Sequence, residues 1–181
     1  MQTKDSVYIS LFAAFMATLS LIPPMMIPVL GVPVTAQSIG PMLAGGIIGS
    51  KRGSLAVVLF LACVAVGLPL LAGGRGGLSV FFGPGGGFLI GWIATAFVTG
   101  WLIERRAMQV RFIYALICCI LGGVVTLYPG GILWIAIVTS LPLSKAFIGA
   151  MIFLIGDLVK AGLAALIVVK VNQYHLVSHE V

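Results

Sequence analysis

Two charged side chains, Asp157 and Lys160, lie within one long apolar stretch near the end of the chain. Their spacing of three residues places them on the same face of a helix, where a carboxylate and an ammonium can pair. Asp157 lies about 20 Å from Lys170, where the stretch ends. At that depth in a membrane each charge costs about 2.5–3.5 kcal/mol. This cost favours a functional interpretation, a polar anchor for a ligand, over a purely structural ion pair facing the bundle.

The composition of the whole chain is typical of a membrane protein. Of its 181 residues, 61% are hydrophobic and 8% are charged, and the mean hydropathy is +1.23. Because a soluble domain carries about 25% charged residues, this chain has too little polar surface to face water throughout. We expect residues 1–181 to form one integral-membrane domain. The net charge of +6 comes from short basic clusters between apolar runs, which indicates membrane orientation and no nucleic-acid partner.

Six apolar stretches predict membrane helices, because a spanning helix needs about 20 residues. The predicted fold class is therefore an all-α membrane protein, a bundle of six transmembrane helices. Residues 130–143 are also apolar but short, and they follow a break at Pro129-Gly130-Gly131. They either extend the fifth helix or form a separate short helix over the site. The six predicted helices are 7–25, 34–50, 54–72, 86–103, 112–128 and 146–170.

The positions of the basic residues support six spans and orient them. Seven basic residues fall on one side of the six-helix arrangement, whereas only Arg75 and Lys145 fall on the other. Lysine and arginine accumulate on the cytoplasmic side of membrane proteins. The distribution therefore predicts that both termini are cytoplasmic. The seven residues are Lys4, Lys51, Arg52, Arg105, Arg106, Arg111 and Lys170.

A glycine-rich segment joins the third and fourth predicted helices. Four glycines surround Arg75 within residues 73–77, and a second cluster occupies residues 83–87. Glycine adopts positive φ and lets the backbone approach a ligand closely. A loop that closes over a ligand is one interpretation, and an ordinary flexible surface loop is the other.

Small residues form a ridge on the first predicted helix, where Ala13 and Ala17 lie four residues apart. Gly45 and Gly49 repeat the pattern on the second. Such ridges let membrane helices approach closely. The alanine ridge therefore either packs inside this bundle or docks another membrane subunit.

Enzymatic chemistry is not indicated by the residue pattern. Residues 83–87 do not complete a GxGxxG motif, since position 88 is Phe, and the residues around Lys51 do not form a P-loop. Only four acidic residues exist, and neither a nucleophile–base–acid set nor a metal-ligand spacing is present. We expect no catalytic residue, no metal and no cofactor, with any ATP hydrolysis on partner subunits.

At four places, in matching order and spacing, the chain resembles the BioY family, the biotin-specific substrate-binding subunits (S components) of energy-coupling factor transporters. These places are PVTAQ at 33–37, GGRGG at 73–77, GPGGGFLIG at 83–91 and GDLVK at 156–160. The resemblance covers nearly the whole chain. It implies six helices with cytoplasmic termini in a prokaryotic cell membrane, and a cavity open to the outside beneath the loops between helices 1–2, 3–4 and 5–6.

The resemblance also implies partners and a site. Asp157 and Lys160 would line the cavity and bind the substrate together with Gln37 of the first motif. The ridge of Ala13 and Ala17 would contact a transmembrane coupling subunit joined to two ATPases. The biotin ureido group offers N–H donors and a carbonyl acceptor that suit a carboxylate and an ammonium. Arg75 is a candidate for the biotin carboxylate. The aromatic wall candidates are Phe82, Tyr128 and Trp134.

Two alternatives remain at this stage. The ligand could be another vitamin, such as thiamin or riboflavin, which would leave the fold and the importer role unchanged. The chain could instead be an intramembrane enzyme that uses Asp157 as an acid–base group. That alternative needs a second catalytic residue at the same depth, and the sequence offers only Lys160 there.

Overall fold

The computed structural model describes residues 3–27, 32–106 and 110–177. This part of the chain contains eight α-helices and one small antiparallel sheet. Residues 28–31 of the predicted loop between helices 1 and 2 lie outside the described residues. The helices are α1 (Thr3–Thr18), α2 (Ile39–Ile48), α3 (Ser50–Ala65), α4 (Ser79–Phe82), α5 (Gly86–Glu104), α6 (Phe112–Ile120), α7 (Leu127–Thr139) and α8 (Leu143–Val177).

Shorter elements connect these helices. A 3₁₀ turn follows α1, and another precedes α2. Between them lies the two-stranded sheet, in which Met25 pairs with Val34 and Ile27 pairs with Val32. A π-helical segment joins α6 to α7. These elements are Leu19–Leu21, β1 (Met25–Ile27), β2 (Val32–Val34), Ala36–Ser38 and Leu121–Val125.

Three of the described helices are long and apolar enough to cross a membrane: Gly86–Glu104, Phe112–Thr139 and Leu143–Gln173. The first and third predicted helices are present but are shorter and begin earlier than expected, with 16 residues each in α1 and α3. Sixteen residues span about 24 Å, less than a typical hydrocarbon core of about 30 Å. The chain is thus a largely helical membrane protein, and the count of six spans stays a prediction.

The apolar residues 130–143 extend the fifth predicted helix and do not form a separate one. The helix continues from α6 through the π-helical segment into α7 and ends where Ser140 adopts a left-handed conformation, with φ of 54°. Pro129 lies within this continuous helix, shortly after the π-helical segment ends at Val125, and the helix runs on to Thr139. Expecting a break at this proline was therefore wrong.

Close backbone packing holds α2, α3 and α5 together. A Cβ on Gly45 would collide with the carbonyl oxygen of Ala96 in α5, and one on Gly53 would lie 2.7 Å from the backbone of Ala44. Gly45 thus packs closely against α5, as the small-residue ridge on the second predicted helix indicated. Gly49 instead separates α2 from α3, with φ of 88°.

The alanine ridge of α1 faces the interior of the bundle. Ala13 is 8% exposed and belongs to the main hydrophobic core, and Ala17 packs against that core. Ala13 is therefore covered by its own chain in this structure. The burial favours internal packing of Ala13, and the contact of this ridge with another membrane subunit stays a prediction.

One end of the bundle collects the basic residues. Arg52 at the start of α3 forms a 2.7 Å ion pair with Asp5 of α1. Glu104 at the end of α5 accepts hydrogen bonds from the backbone N–H and hydroxyl of Ser50 at 2.8 and 2.7 Å. On the same end, Val168 of α8 lies against Gly46 of α2. We call this the basic end, and it carries Lys4, Lys51, Arg52, Arg105, Arg106, Arg111 and Lys170.

The packing of Gly45 predicts a stability change. Replacing Gly45 with Ala forces α2 and α5 apart, and overpacking of this kind costs about 1–3 kcal/mol. We expect Gly45→Ala to lower the melting temperature of the detergent-purified protein, as measured by circular dichroism. Gly162→Ala is the matched control, because a Cβ at Gly162 meets nothing within 4 Å. A melting temperature equally lowered in both variants would contradict the packing argument.

Candidate functional site

An ion pair lies inside the bundle on α8. The ammonium nitrogen of Lys160 is 2.7 Å from Oδ1 of Asp157, and the two side chains are 15% and 9% exposed. The long apolar sequence of α8 forms a continuous helix through this point, so the spacing of three residues brings the two groups together. The predicted pairing of Asp157 with Lys160 is therefore present in the structure.

Two neighbouring side chains complete a polar cluster, which we define as Asp157, Lys160, Ser38 and Tyr128. The hydroxyl of Tyr128 donates to Oδ2 of Asp157 at 2.9 Å. The hydroxyl of Ser38 donates to Oδ1 at 3.3 Å and accepts from Lys160 at 2.8 Å. Both carboxylate oxygens thus have donors, as a buried charge requires. An ammonium carries three N–H groups, and the described residues occupy two of those on Lys160, so one is available to a ligand.

Beside the polar cluster lies a cavity with about 410 Å³ of empty space, part of it open to the surroundings. We call it the charged-pair cavity. Apart from Asp157, Lys160 and Ser38, its walls are largely apolar and include Leu127 and Phe153. The site therefore combines a concentrated polar end with a surface suited to an apolar ligand body.

A second cavity, the loop cavity, adjoins the first and contains about 580 Å³ of empty space, also partly open. Gln37, Arg75 and residues 83–85 of the glycine-rich segment contribute to its walls. The two cavities share five lining residues and so form one continuous depression. The shared residues are Val32, Pro33, Thr35, Phe88 and Trp92.

Gln37 lines the loop cavity, but its amide holds the loop in place. This side chain is fully buried, and its nitrogen donates to the carbonyl oxygens of Met16 at 3.1 Å and Leu70 at 2.9 Å. Its oxygen accepts from the backbone N–H of Ala72 at 2.8 Å. Both amide donors are thus engaged within the protein, so Gln37 fixes the wall of the cavity.

Arg75 lines the loop cavity but not the charged-pair cavity. Its backbone pairs with that of Leu71 at 3.0 and 3.2 Å, and its Nε donates to the carbonyl oxygen of Ala72 at 3.2 Å. Partial burial lowers the pKa of Arg75 from its ordinary value, yet an arginine remains charged at neutral pH. The remaining guanidinium N–H groups can bind an anion in the loop cavity.

The three predicted aromatic wall residues occupy different places. Tyr128 belongs to the polar cluster, behind the cavity wall. Trp134 donates from its indole nitrogen to the carbonyl oxygen of Gly83 at 3.0 Å and so anchors the glycine-rich segment to α7. Phe82 is 72% exposed and is not among the described residues that line either cavity. Phe82 is thus exposed on the short helix α4, and its contact with a ligand stays a prediction.

The aromatic residues that line the depression were not predicted from the sequence. Phe88 and Trp92 lie four residues apart on one face of α5 and line both cavities, and Phe153 of α8 lines the charged-pair cavity. The Phe88 ring meets that of Tyr128 edge-on, with centroids 6.2 Å apart. The spacing of Phe88 and Trp92, directly after the glycine-rich segment, is the signal that could have identified them.

Comparison with known proteins gives the family of this chain. The family model described as "BioY family" matches residues 1–176. The chain belongs to the BioY family. Its relatives include the protein named biotin transporter BioY from Rhizobium etli, which is 46% identical over 92% of each chain. The protein of the same name from Rhodobacter capsulatus is 45% identical over 94% of each chain.

A solved structure supports the same assignment. It is described as the S-component for biotin from an ECF-type ABC transporter, and it matches with a TM-score of 0.90 and 33% identity. The match covers 96% of this chain and 95% of that one. Because the named BioY relatives and this structure are transport proteins, the chain is not an enzyme, and the alternative of an intramembrane enzyme using Asp157 is set aside.

The bond from Tyr128 predicts a measurable effect on stability. In Tyr128→Phe, one oxygen of the buried carboxylate loses its donor, and a hydrogen bond to a charged group contributes about 1.5–3 kcal/mol. We expect a lower melting temperature for the detergent-purified variant. Tyr114→Phe is the control, since that hydroxyl donates at 2.6 Å to the neutral carbonyl oxygen of Leu102, away from the site. A smaller decrease of the melting temperature in Tyr128→Phe than in Tyr114→Phe would contradict the role of Tyr128.

Proposed function

We propose that this chain is the biotin-binding membrane subunit of a vitamin importer, which captures biotin from outside the cell. The observation that carries the proposal is the distribution of polar groups along the continuous depression. Asp157 and Lys160 line one cavity, Arg75 lines the other, and the aromatic side chains of Phe88 and Trp92 line both. Biotin has the same order of groups, a polar ring, an apolar body and a carboxylate.

The ureido ring of biotin fits the polar cluster. One of its N–H groups can donate to Asp157, which already accepts three hydrogen bonds and has about four acceptor positions. Its carbonyl oxygen can accept from the available N–H of Lys160. These bonds form in a largely apolar surrounding, where charge-assisted hydrogen bonds are strong. The thiophane ring and the first carbons of the valeryl chain then contact Phe88 and Trp92.

The carboxylate of biotin is assigned to Arg75. If the biotin carboxylate bound Lys160, it would lie beside the carboxylate of Asp157, and the two negative charges would repel each other. Arg75 instead offers guanidinium N–H groups in the loop cavity, and the backbone pairing with Leu71 holds its position. The glycine-rich segment that carries Arg75 would close over the bound ligand. Trp134 and Gln37 would anchor this segment at its two sides.

The transport cycle requires partners beyond this chain. Biotin would be captured from outside and released inward after a reorientation of the bundle, driven by a transmembrane coupling subunit and two ATPase subunits. The resemblance of the fold to an S-component of an ECF-type transporter supports this. The grouping of seven basic residues supports a six-span arrangement in a prokaryotic inner or plasma membrane, with the basic end and both termini in the cytoplasm.

The ligand is tested by titrating the detergent-purified protein with three vitamins. We expect saturable heat of binding with biotin and none with thiamin or riboflavin at the same concentration. Thiamin is a cation and offers nothing to Arg75, and riboflavin lacks a carboxylate. Binding of riboflavin or thiamin without binding of biotin would reject biotin as the ligand while leaving the family assignment intact.

A second prediction concerns the orientation of biotin. The wild-type protein should prefer biotin to biotinamide, in which the carboxylate is replaced by a neutral amide. In Arg75→Gln this preference should shrink by about 10- to 100-fold, the range expected for a hydrogen-bonded charge. Lys145→Gln is the control, because Lys145 lies on the predicted outer side but lines neither cavity. If Arg75→Gln weakens both ligands equally, the carboxylate does not bind Arg75.

A further inference from the structure

The π-helical segment Leu121–Val125 joins α6 to α7 within one continuous helix. Its characteristic bond runs from the backbone N–H of Thr126 to the carbonyl oxygen of Leu121, five residues earlier, at 2.9 Å. An α-helical bond spans four residues, so the π-helical segment accommodates one residue more. The segment therefore sets the rotation of α7 relative to α6, and with it the direction of Tyr128, three residues further on.

The buried residues of this helix show the change in rotation. Within α6 and within α7 they recur every three or four residues, as on one face of a regular helix. Across the segment, the buried pair Gly122 and Gly123 is followed by the pair Leu127 and Tyr128, five residues later. The extra residue thus turns Tyr128 toward Asp157, to which its hydroxyl donates at 2.9 Å.

Two threonines of α5 carry hydroxyl groups that are not used, and one of them lies against this segment. Thr95 and Thr99 are fully buried on one face of α5, and Thr95 follows the cavity residue Trp92 by three residues. A Cβ on Gly122 would collide with the Thr99 hydroxyl and would lie 3.0 Å from the carbonyl oxygen of Thr95. Throughout the described ranges, neither threonine hydroxyl has a hydrogen-bond partner.

A buried hydroxyl without a partner is unusual and calls for an explanation. Helical threonines commonly donate to the carbonyl oxygen four residues earlier, as Thr139 does to Ile135 at 2.7 Å. In membrane proteins, threonine side chains also satisfy backbone groups that irregular helical turns release. Thr95 and Thr99 lie beside such a turn without bonding to it. Their hydroxyls are therefore available to a second arrangement of the segment.

We propose that Leu121–Val125 is a hinge and that Thr95 and Thr99 are positioning residues for the ligand site. When a ligand hydrogen bonds to Asp157, α7 adjusts through Tyr128, which donates to the same carboxylate. The hinge absorbs this adjustment, and the two threonine hydroxyls then donate to carbonyl oxygens of the hinge. Threonines that line neither cavity thereby raise the affinity for the ligand. This inference rests on the proposed function, because it takes biotin as the ligand.

The hinge is tested by calorimetric titration of the full-length, detergent-purified protein with biotin. Thr95→Val/Thr99→Val keeps the shape of both side chains and removes both hydroxyls. We expect its affinity for biotin to fall about 10-fold, the effect of two hydrogen bonds between membrane helices. The melting temperature of the ligand-free protein should not fall, because these hydroxyls have no partner there among the described residues. Thr95→Ser/Thr99→Ser keeps the hydroxyls and should retain the wild-type affinity.

Thr139→Val is the matched control, because its hydroxyl already bonds to α7 itself and the residue is not among those that line either cavity. It should bind biotin as tightly as the wild-type protein does. Three results would overturn the hinge: wild-type affinity in the valine variant, a lower melting temperature of that variant without ligand, or an equal loss of affinity in the serine variant. A wild-type protein that does not bind biotin would reject the proposed function and the hinge together.

Discussion

The buried pair of Asp157 and Lys160 is the constraint on which the site depends. Each charge alone costs at least about 2.5–3.5 kcal/mol at hydrocarbon depth, so the pair must be closely matched and further hydrogen bonded. Ser38 and Tyr128 supply those bonds. They come from the 3₁₀ turn before α2 and from α7, so the charge on α8 requires three separate elements to meet at one point. A ligand that binds there enters a polar cluster that is already oriented.

The rest of the bundle positions this cluster and its roof. Contacts such as that of Gly45 with Ala96 bring α2 against α5, which sets Ser38 near the face of α5 that carries Phe88 and Trp92. Gln37 fixes the backbone around Ala72, and Trp134 fixes Gly83. The glycine-rich segment between these anchors carries Arg75. The two ends of the ligand depression are therefore held by independent sets of interactions.

Some of this arrangement could be predicted from the sequence, because it follows from local spacing. The ion pair of Asp157 and Lys160 is a helical neighbour contact, and the glycine-rich segment with Arg75 is a compositional feature. The side-chain direction of Phe82, by contrast, depends on the short helix α4, and the burial of Ala13 depends on how α1 meets the core. The hydrogen bonds of the Gln37 amide to backbone groups also depend on tertiary contacts, which local spacing alone does not reveal.

The central claim is that Asp157 binds the ureido ring of the ligand, and calorimetric titration of Asp157→Asn with biotin tests it most directly. The account predicts a loss of affinity of at least about 100-fold, because a charged partner in a buried hydrogen-bonded set is removed. Asp5→Asn makes the same chemical change at the basic end, where Asp5 pairs with Arg52, and should leave the affinity unchanged. Folded Asp157→Asn protein that binds biotin as tightly as the wild-type protein would contradict the account.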